Sequence, residues 1–497
     1  MRNSKIQIKS EYVICTGAFL FFVFMMCFNL THSALWGDEW VEYYYSQAKI
    51  SDGTLYEKIV STFQPPLYNF VMHFWLKINQ SILWFRLFNV VIGCVAGGAL
   101  FLTIRKLTNG FIASISVCVL SITYQWIYCI QECSEYALML CFLSVSLYFF
   151  VSCLDSFTYF RMAGFIIATV LAIYSQYGSV FVALPLLFML FLMEIRDKKV
   201  ALKQKIVLTT SYVASLVVFA APLYFFFLKI QMEHNEISSN HVKFTVGLLR
   251  DLPFTFGNII GYLFNMNSNN SWELLIKLVG LAVIIISICL FKRGIGRIEK
   301  NLIVTLWIAY ILHYILVQLH VYAMVHANQS AGFLARYSYF YIPLLCVVFP
   351  LLAYNFKKLY IEKVGDVFQC FCSLLLIFIS LISGGTTLEN WNKAYDDQFA
   401  TIWLENEGWK DTTYLYGIRY GFDYYISHSN EYEDGFLSNA TKDVNNEELP
   451  LRFWAWRTNW GGDGWQATID AAKNQGYSVI IYRDSGYSGQ LAFCYIE

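Results

Sequence analysis

Asp38 and Glu39 stand side by side in Ala34-Leu35-Trp36-Gly37-Asp38-Glu39-Trp40, a few residues after an apolar run from Tyr12 to Leu30. The basic residues ahead of that run predict a chain that starts inside the cell, so the two acids emerge on the outer side. A carboxylate at that depth can accept a proton or hold a cation at the membrane surface. On a helix the two would point about 100° apart, one toward a cavity and the other toward a neighbouring loop. The plainer alternative is a helix-capping Asp beside a solvated Glu.

A second acidic group lies in Gln131-Glu132-Cys133-Ser134-Glu135-Tyr136-Ala137-Leu138. A tight turn between two apolar runs would hold Glu132 and Glu135 on the same side as Asp38; as a plain polar turn it would only keep two helices apart. Arg336, just before Tyr337, is one of few cations expected on that side. Its planar fork of donors suits phosphate oxygens, and it equally suits snorkelling to the interface. Trp36, Trp40, Tyr43, Tyr44 and Tyr45 crowd the first acid pair. Aromatic faces next to carboxylates can receive a sugar, CH faces on the rings and hydroxyls on the acids, and they also form interfacial belts. The spacing of His313, His320 and His326 suggests no metal set, and His234 and His241 are no stronger.

These groups must be positioned by membrane helices. Hydrophobic residues make up 57% of the chain and charged residues 14%, where a soluble domain has about 25% charged. Many apolar runs reach the ~20 residues that cross a hydrocarbon core, where runs this continuous must be helical. The first run lacks a small-residue cleavage site and reads as a retained anchor. Apolar runs and loop charge together predict about eleven spans, centred near Phe21, Ile92, Leu120, Val145, Thr169, Leu186, Val217, Val283, Trp307, Leu345 and Leu375. The basic loops around Arg105-Lys106, Arg161, Arg196 to Lys205, Lys292 to Lys300 and Lys357 to Lys363 then alternate onto the inner side. The N terminus falls inside and the C terminus outside.

The first outer loop, 31–83, contains Leu67 to Ile78, too short to span and preceded by a Pro-Pro break, which reads as an interfacial or re-entrant helix. Beyond residue 385 the composition turns polar and aromatic. Thr413 to Tyr416 and Tyr477 to Tyr482 read as strands and Trp465 to Asn474 as a helix. The chain is thus an α-helical polytopic membrane protein, 1–385, followed by a small extracytoplasmic α/β domain, 386–497. The formal net charge of +0 gives no reason to expect nucleic acid as a partner. The 13 cysteines lie mostly within apolar runs and suggest no disulfide framework or zinc pattern. No internal repeat is evident, which speaks against a secondary transporter.

Taken in order, these residues resemble the GT-C glycosyltransferases, especially bacterial proteins akin to protein O-mannosyltransferases and the lipid A aminoarabinose transferase. In that pattern an acidic motif after the first span (Asp38-Glu39) is followed by a Pro-Pro-Leu-Tyr segment, here Gln64-Pro65-Pro66-Leu67-Tyr68 leading to Trp75-Leu76. A Gln-Glu turn ahead of the fourth span (Gln131 to Leu138) comes next, and then an Arg-Tyr pair before a Pro-containing late span (Arg336-Tyr337, Pro343). Two positions depart from it. Gln64 replaces a basic residue ahead of the prolines, and Ser134-Glu135 stand where the turn has a basic residue.

The resemblance implies a GT-C-like catalytic domain that uses a polyprenyl-phosphate-sugar donor, with the lipid between helices and the sugar at the outer face. An acceptor hydroxyl on a glycan, lipid or protein would displace the lipid phosphate with inversion, and Asp38 would take its proton. Arg336 would steady the leaving phosphate. Glu39 joins Asp38 at the catalytic centre, while Glu132, Glu135, Tyr136, Tyr337, Gln64, Tyr68 and Trp40 would bind substrate. A divalent cation, held by Asp38 and Glu39, is compatible with this site, although a monophosphate leaving group does not demand one. The alternatives are a flippase or transporter of a lipid-linked sugar and a non-catalytic scaffold. The Asn-, Lys- and Ile-bearing composition points to a bacterial inner membrane.

Overall fold

The computed structural model describes residues 2–28, 30, 35, 37–62, 64–196, 202–234, 256–257, 259–261, 273–318, 338–360, 414–416, 452–457, 464–483 and 490–496. The chain divides into two compact units. One comprises Met1–Phe28, Ala48–Asn79 and Trp84–Thr387, and the other Asn29–Gln47, Gln80–Leu83 and Leu388–Glu497.

The first unit is helical. Its described elements begin with α1 (Arg2–Cys27), and the second unit's α2 (Gly37–Gln47) follows in the chain. Next come α3 (Thr54–Ser61), α4 (Leu67–Leu76), α5 (Ile82–Leu107), α6 (Gly110–Ser121), α7 (Tyr124–Gln131), α8 (Tyr136–Asp155) and α9 (Tyr159–Ser175). A 3-10 turn (Tyr177–Ser179) leads into α10 (Val180–Arg196) and α11 (Leu202–Leu223), which passes through a π turn (Tyr224–Leu228) into α12 (Lys229–His234). The later helices are α13 (Glu273–Arg293), α14 (Arg297–Gln318) and α15 (Tyr341–Tyr360).

Ten of the expected span centres, Phe21 through Leu345, fall within α1, α5, α6, α8, α9, α10, α11, α13, α14 and α15; Leu375 lies outside the described residues. Among the described residues, Ile82–Leu107, Tyr136–Asp155, Arg297–Leu316 and Tyr341–Leu359 are each long and apolar enough to cross a membrane. Tyr12–Cys27, Tyr159–Ser175 and Tyr177–Met193 are shorter apolar helices. The chain is a multi-pass membrane protein.

The third expected span is not straight. α6 and α7 meet at 68°, because Thr123 leaves helical geometry (φ −76, ψ 124) and its hydroxyl donates to the Val119 carbonyl at 2.9 Å. Side-chain competition for the backbone breaks a helix in this way.

Local signals set the other helix ends. Asn109 Oδ1 accepts from the Ile112 N–H at 2.9 Å to start α6, and Thr158 Oγ1 accepts from the Arg161 N–H at 3.2 Å to start α9. The Arg161 guanidinium donates to the Ser152 carbonyl at 3.0 Å and the Ser156 carbonyl at 2.7 Å, closing the end of α8. Lys106 pairs with Asp155 at 3.0 Å at the same end.

Glycines let α5 pack closely. A Cβ at Gly97 would stand 2.5 Å from the Phe22 ring of α1, and one at Gly93 would stand 2.7 Å from Ile130 of α7. Small residues allow this approach where helices have no hydrophobic drive to separate them from lipid.

In the second unit the described strands are β1 (Tyr414–Tyr416), β2 (Arg452–Arg457), β3 (Ser478–Arg483) and β4 (Gln490–Tyr495), with α16 (Gly464–Asn474) between β2 and β3. The sheet order is β1-β2-β4-β3. β1 runs parallel to β2, and the other two pairings are antiparallel, with an irregularity between Ile481 and Arg483. Ile469 and Ala472 of α16 pack on Ala492 and Cys494 of β4, with Tyr477 closing the cluster. Gly476, at φ 90, makes the left-handed step that ends the helix. Burial pushes the Cys494 thiol up to about 12.

Candidate functional site

In the first unit the Pro-Pro segment, the start of α5 and the Gln-Glu turn come together. Pro65 and Pro66 are buried and lead directly into α4, since proline pre-sets the first helical turn and needs no N–H there. One face of α4 buries Tyr68, Asn69, Met72, His73 and Leu76, the 3-4 spacing of a helix against a core.

A reciprocal pair of tryptophans locks α4 onto α5. The Trp75 and Trp84 indoles stack with centroids 4.3 Å apart, and each N–H donates to the other's carbonyl, at 2.8 and 3.0 Å. Further along, Tyr68 meets Phe88 edge-on at 6.4 Å.

α5 then carries the turn. Asn89, fully buried, donates its side-chain N–H to the Glu132 carbonyl at 2.5 Å and reaches the Ser134 carbonyl at 3.5 Å. Glu132, Cys133, Ser134, Glu135 and Tyr136 are all buried. Glu135 sits at the N-cap position of α8, where the helix dipole favours a negative charge. Gln131 donates to the Phe28 carbonyl at 2.8 Å, fixing the turn against the end of α1.

Gln64 is held from a distant part of the chain. The fully buried Gln231 of α12 donates to the Gln64 carbonyl at 2.7 Å and the Ile59 carbonyl at 3.1 Å, and accepts from the Tyr177 hydroxyl at 2.8 Å. The Gln64 side-chain Oε1 is buried, and no donor among the described residues reaches it.

Arg336 and Tyr337 lie outside the described residues. The residues directly after them do not. Tyr339 is buried, donates to Gln125 Oε1 at 2.6 Å and packs edge-on against Tyr136 with ring centroids 5.2 Å apart. The turn and the segment that follows Arg336 are therefore in contact.

In the second unit, Asp38 and Glu39 lie in the first turn of α2. Glu39 and Glu42 are each 3% exposed, and Tyr43 donates its hydroxyl to the Gln80 carbonyl at 2.7 Å while packing edge-on against Tyr44. Tyr45 is half-buried on the same helix. The side chains of Asp38 and Trp40, and Trp36 altogether, lie outside the described set, as do His241, His320 and His326.

Sequence reasoning passed over several residues. Glu42 shares a helix face with Asp38 and Glu39 at i+4 and i+3, a spacing visible once α2 is recognised as a helix. Arg86 is the only lysine or arginine buried among the described residues. It hides at the start of an apolar run, one helical turn before Asn89. Asn69 and His73, at i and i+4 on α4, are buried as well. His313 is buried, with Nδ1 3.1 Å from the Tyr341 hydroxyl and its ring against Phe181, so it is a packing residue of α10, α14 and α15. Among the described residues, no three His, Cys, Asp or Glu side chains gather as a metal-ligand set.

Comparison with known proteins bears on the same segments. No curated protein sequence matches the chain. It is similar to the crystal structure of ArnT from Cupriavidus metallidurans in the apo state, at 14% identity over 98% of both chains with a TM-score of 0.47. It is similar to the same protein bound to undecaprenyl phosphate, at 14% identity over 98% of both chains with a TM-score of 0.44. The Archaeoglobus fulgidus oligosaccharyltransferase in complex with Zn and sulfate matches at 14% identity over 75% of this chain and 53% of that one, with a TM-score of 0.44. The dolichyl-phosphate-mannose-protein mannosyltransferase family matches residues 63–225, which hold the Pro-Pro segment, Arg86, Asn89 and the Gln-Glu turn. Over those residues the chain is similar to a family of GT-C membrane glycosyltransferases.

Proposed function

We propose that the protein is an inverting glycosyltransferase. It moves a sugar from a polyprenyl-phosphate donor to an acceptor hydroxyl on the extracytoplasmic face of a bacterial plasma membrane. The observation that carries this reading is the burial of Glu132 and Glu135 in a turn held by Asn89, within the segment that matches the mannosyltransferase family. Burying a carboxylate at a membrane edge costs several kcal/mol, and such groups mark sites of ligand or proton handling.

The acceptor oxygen attacks the anomeric carbon as the bond from that carbon to the phosphate oxygen breaks. The hydroxyl proton passes to the Asp38 carboxylate, and the bonding pair leaves with the polyprenyl phosphate. Attack from the face opposite the phosphate inverts the configuration. Arg336 stabilises the charge on the departing phosphate. Glu39 orients the acceptor beside Asp38. Glu132, Glu135, Gln64 and the aromatic residues Tyr68, Tyr136, Tyr337 and Trp40 hold the sugar. The domain of residues 386–497 lies on the same outer side as the reacting groups. A divalent cation near Asp38 and Glu39 is compatible with this chemistry, and the reaction as written does not need one.

The test is mass spectrometry of lipids that co-purify with Asp38→Asn protein and with wild type. A polyprenyl-phosphate sugar enriched on the variant is the expected result and reveals the sugar by its mass. Its absence from both folded proteins would sink the reading. Movement of the lipid across a bilayer with no sugar released would replace it by a flippase.

A further inference from the structure

The 3-10 turn Tyr177–Ser179 joins α9 to α10, and its side chains divide into two sets. Tyr177 donates to Gln231, which in turn holds the Gln64 carbonyl ahead of the Pro-Pro segment. Gln176 and Ser179 stand at the two ends of the turn, where the Ser179 N–H donates to the Gln176 carbonyl at 3.1 Å. Positions three apart in a 3-10 turn lie over one another, so these two side chains leave it on a common side.

Gln176 is 7% exposed and Ser179 0%. Gln176 Oε1 and Ser179 Oγ are buried and have no hydrogen-bond partner among the described residues, and the same is true of Gln64 Oε1. A buried polar group without a partner destabilises the fold, and each one needs a reason. Leucine and alanine would fill the two positions at less cost.

The turn stands between two parts of the candidate site. Through Tyr177 and Gln231 it reaches Gln64. Two residues past Ser179, Phe181 packs on Phe340 with ring centroids 5.5 Å apart. Phe340 adjoins Tyr339, which meets Tyr136 of the Gln-Glu turn. No residue from Ser175 to Val180 carries a charge. An amide oxygen accepts hydrogen bonds and a serine hydroxyl both donates and accepts, so the pair matches neutral hydroxyls. A carboxylate or ammonium buried against it would lack a counter-charge.

We infer that Gln176 and Ser179 hydrogen-bond hydroxyls of the transferred sugar and set a preference for a neutral one. The inference rests on the glycosyltransferase reading and adds which residues recognise the sugar. The pair gives up stability in the free protein for discrimination in the complex, since a site built to bond a hydroxyl rejects a ligand that lacks it.

The test reads stability and sugar preference on the full-length protein in nanodiscs. Ser179→Ala and Gln176→Leu should each unfold at or above the wild-type temperature, because each removes a buried group that has no partner. Wild type should bind polyprenyl-phosphate glucose, mannose or arabinose at least about tenfold more tightly than bare polyprenyl phosphate, the worth of one or two good hydrogen bonds. The double variant should lose that margin and bind the bare lipid as wild type does. A lower unfolding temperature would overturn the inference, since it would show that the two groups are already bonded in the free protein. So would a margin unchanged in the double variant, a wild type that binds the bare lipid as well as every neutral donor, or a wild type that prefers polyprenyl-phosphate glucuronate. Sugar transfer with the margin unchanged in the double variant would sink this inference alone. A margin that depends on the pair, with no transfer to any acceptor, would sink the enzyme reading alone.

Discussion

The Tyr339 ring meets the Tyr136 ring edge-on, 5.2 Å between centroids, and its hydroxyl donates to Gln125 at 2.6 Å. Residues 203 positions apart, one in the Gln-Glu turn and one just past Arg336, thus share a single buried contact. Tyr339→Phe should strand a buried Gln125 oxygen and cost about 1–3 kcal/mol. Replacing both partners, as Tyr339→Phe with Gln125→Met, should recover most of that loss. Thermal unfolding of the two variants in detergent checks this, and a double variant no more stable than the single one would refute the contact.

Asp38→Asn should leave the folded population unchanged and remove transfer, since an amide cannot accept the acceptor's proton. Product formation in single-turnover assays is the measurement. Undiminished product would strip Asp38 of the base role.

Arg336→Ala should act mainly on the donor. Loss of a charge-assisted hydrogen bond to phosphate costs about 1.5–3 kcal/mol, or roughly tenfold or more in kcat/KM for the lipid donor. The steepness of donor binding with salt should fall in parallel. A normal donor kcat/KM in this variant would assign the phosphate to another cation, and Arg86 is the buried one at hand.

Gln231→Leu should be among the more damaging single changes in the membrane unit. It leaves the Ile59 and Gln64 carbonyls and the Tyr177 hydroxyl without their shared partner, each a loss of about 1–3 kcal/mol when buried. Gln231→Glu keeps an acceptor for the Tyr177 hydroxyl but sets a second acceptor oxygen against the Ile59 and Gln64 carbonyls in place of the amide donor, so it should fail as well. Proteolysis of the segment before Pro65 in native membranes measures the release, and a cleavage rate equal to wild type would argue against the clasp.

Cys494 reports on the folding of the C-terminal sheet. Burial holds its thiol neutral up to about 12, whereas an unfolded cysteine ionises near 9. The folded state therefore keeps its proton where the unfolded state loses it, so this contribution to stability is complete below about pH 9 and declines as pH rises toward 12. At pH 8 a maleimide should leave Cys494 untouched in native protein and modify it after denaturation. Rapid native labelling would place this thiol outside the core.

Much of the helical layout was legible because it depends on one strong signal, long apolar runs with basic loops between them. Ten expected centres fall in helices for that reason. The 68° break at Thr123 was not legible, since a single threonine within an apolar run leaves hydropathy unchanged while its hydroxyl competes for the Val119 carbonyl. Glu132 and Glu135 could be found from a short local string. Arg86 and Asn89 could not, because an apolar window averages away two polar residues, and their meaning comes from the turn that α5 touches. Gln231 was least visible of all, as the two carbonyls it donates to, those of Ile59 and Gln64, lie more than 160 residues away in sequence.

The Trp75–Trp84 pair has a mechanical consequence. Two stacked indoles joined by a pair of hydrogen bonds resist both sliding and twisting, so α4 and the first turns of α5 must move as one rigid arm. A push on the prolines at one end of that arm becomes a torque at Asn89, and through its grip on the Glu132 carbonyl the two buried acids would be turned.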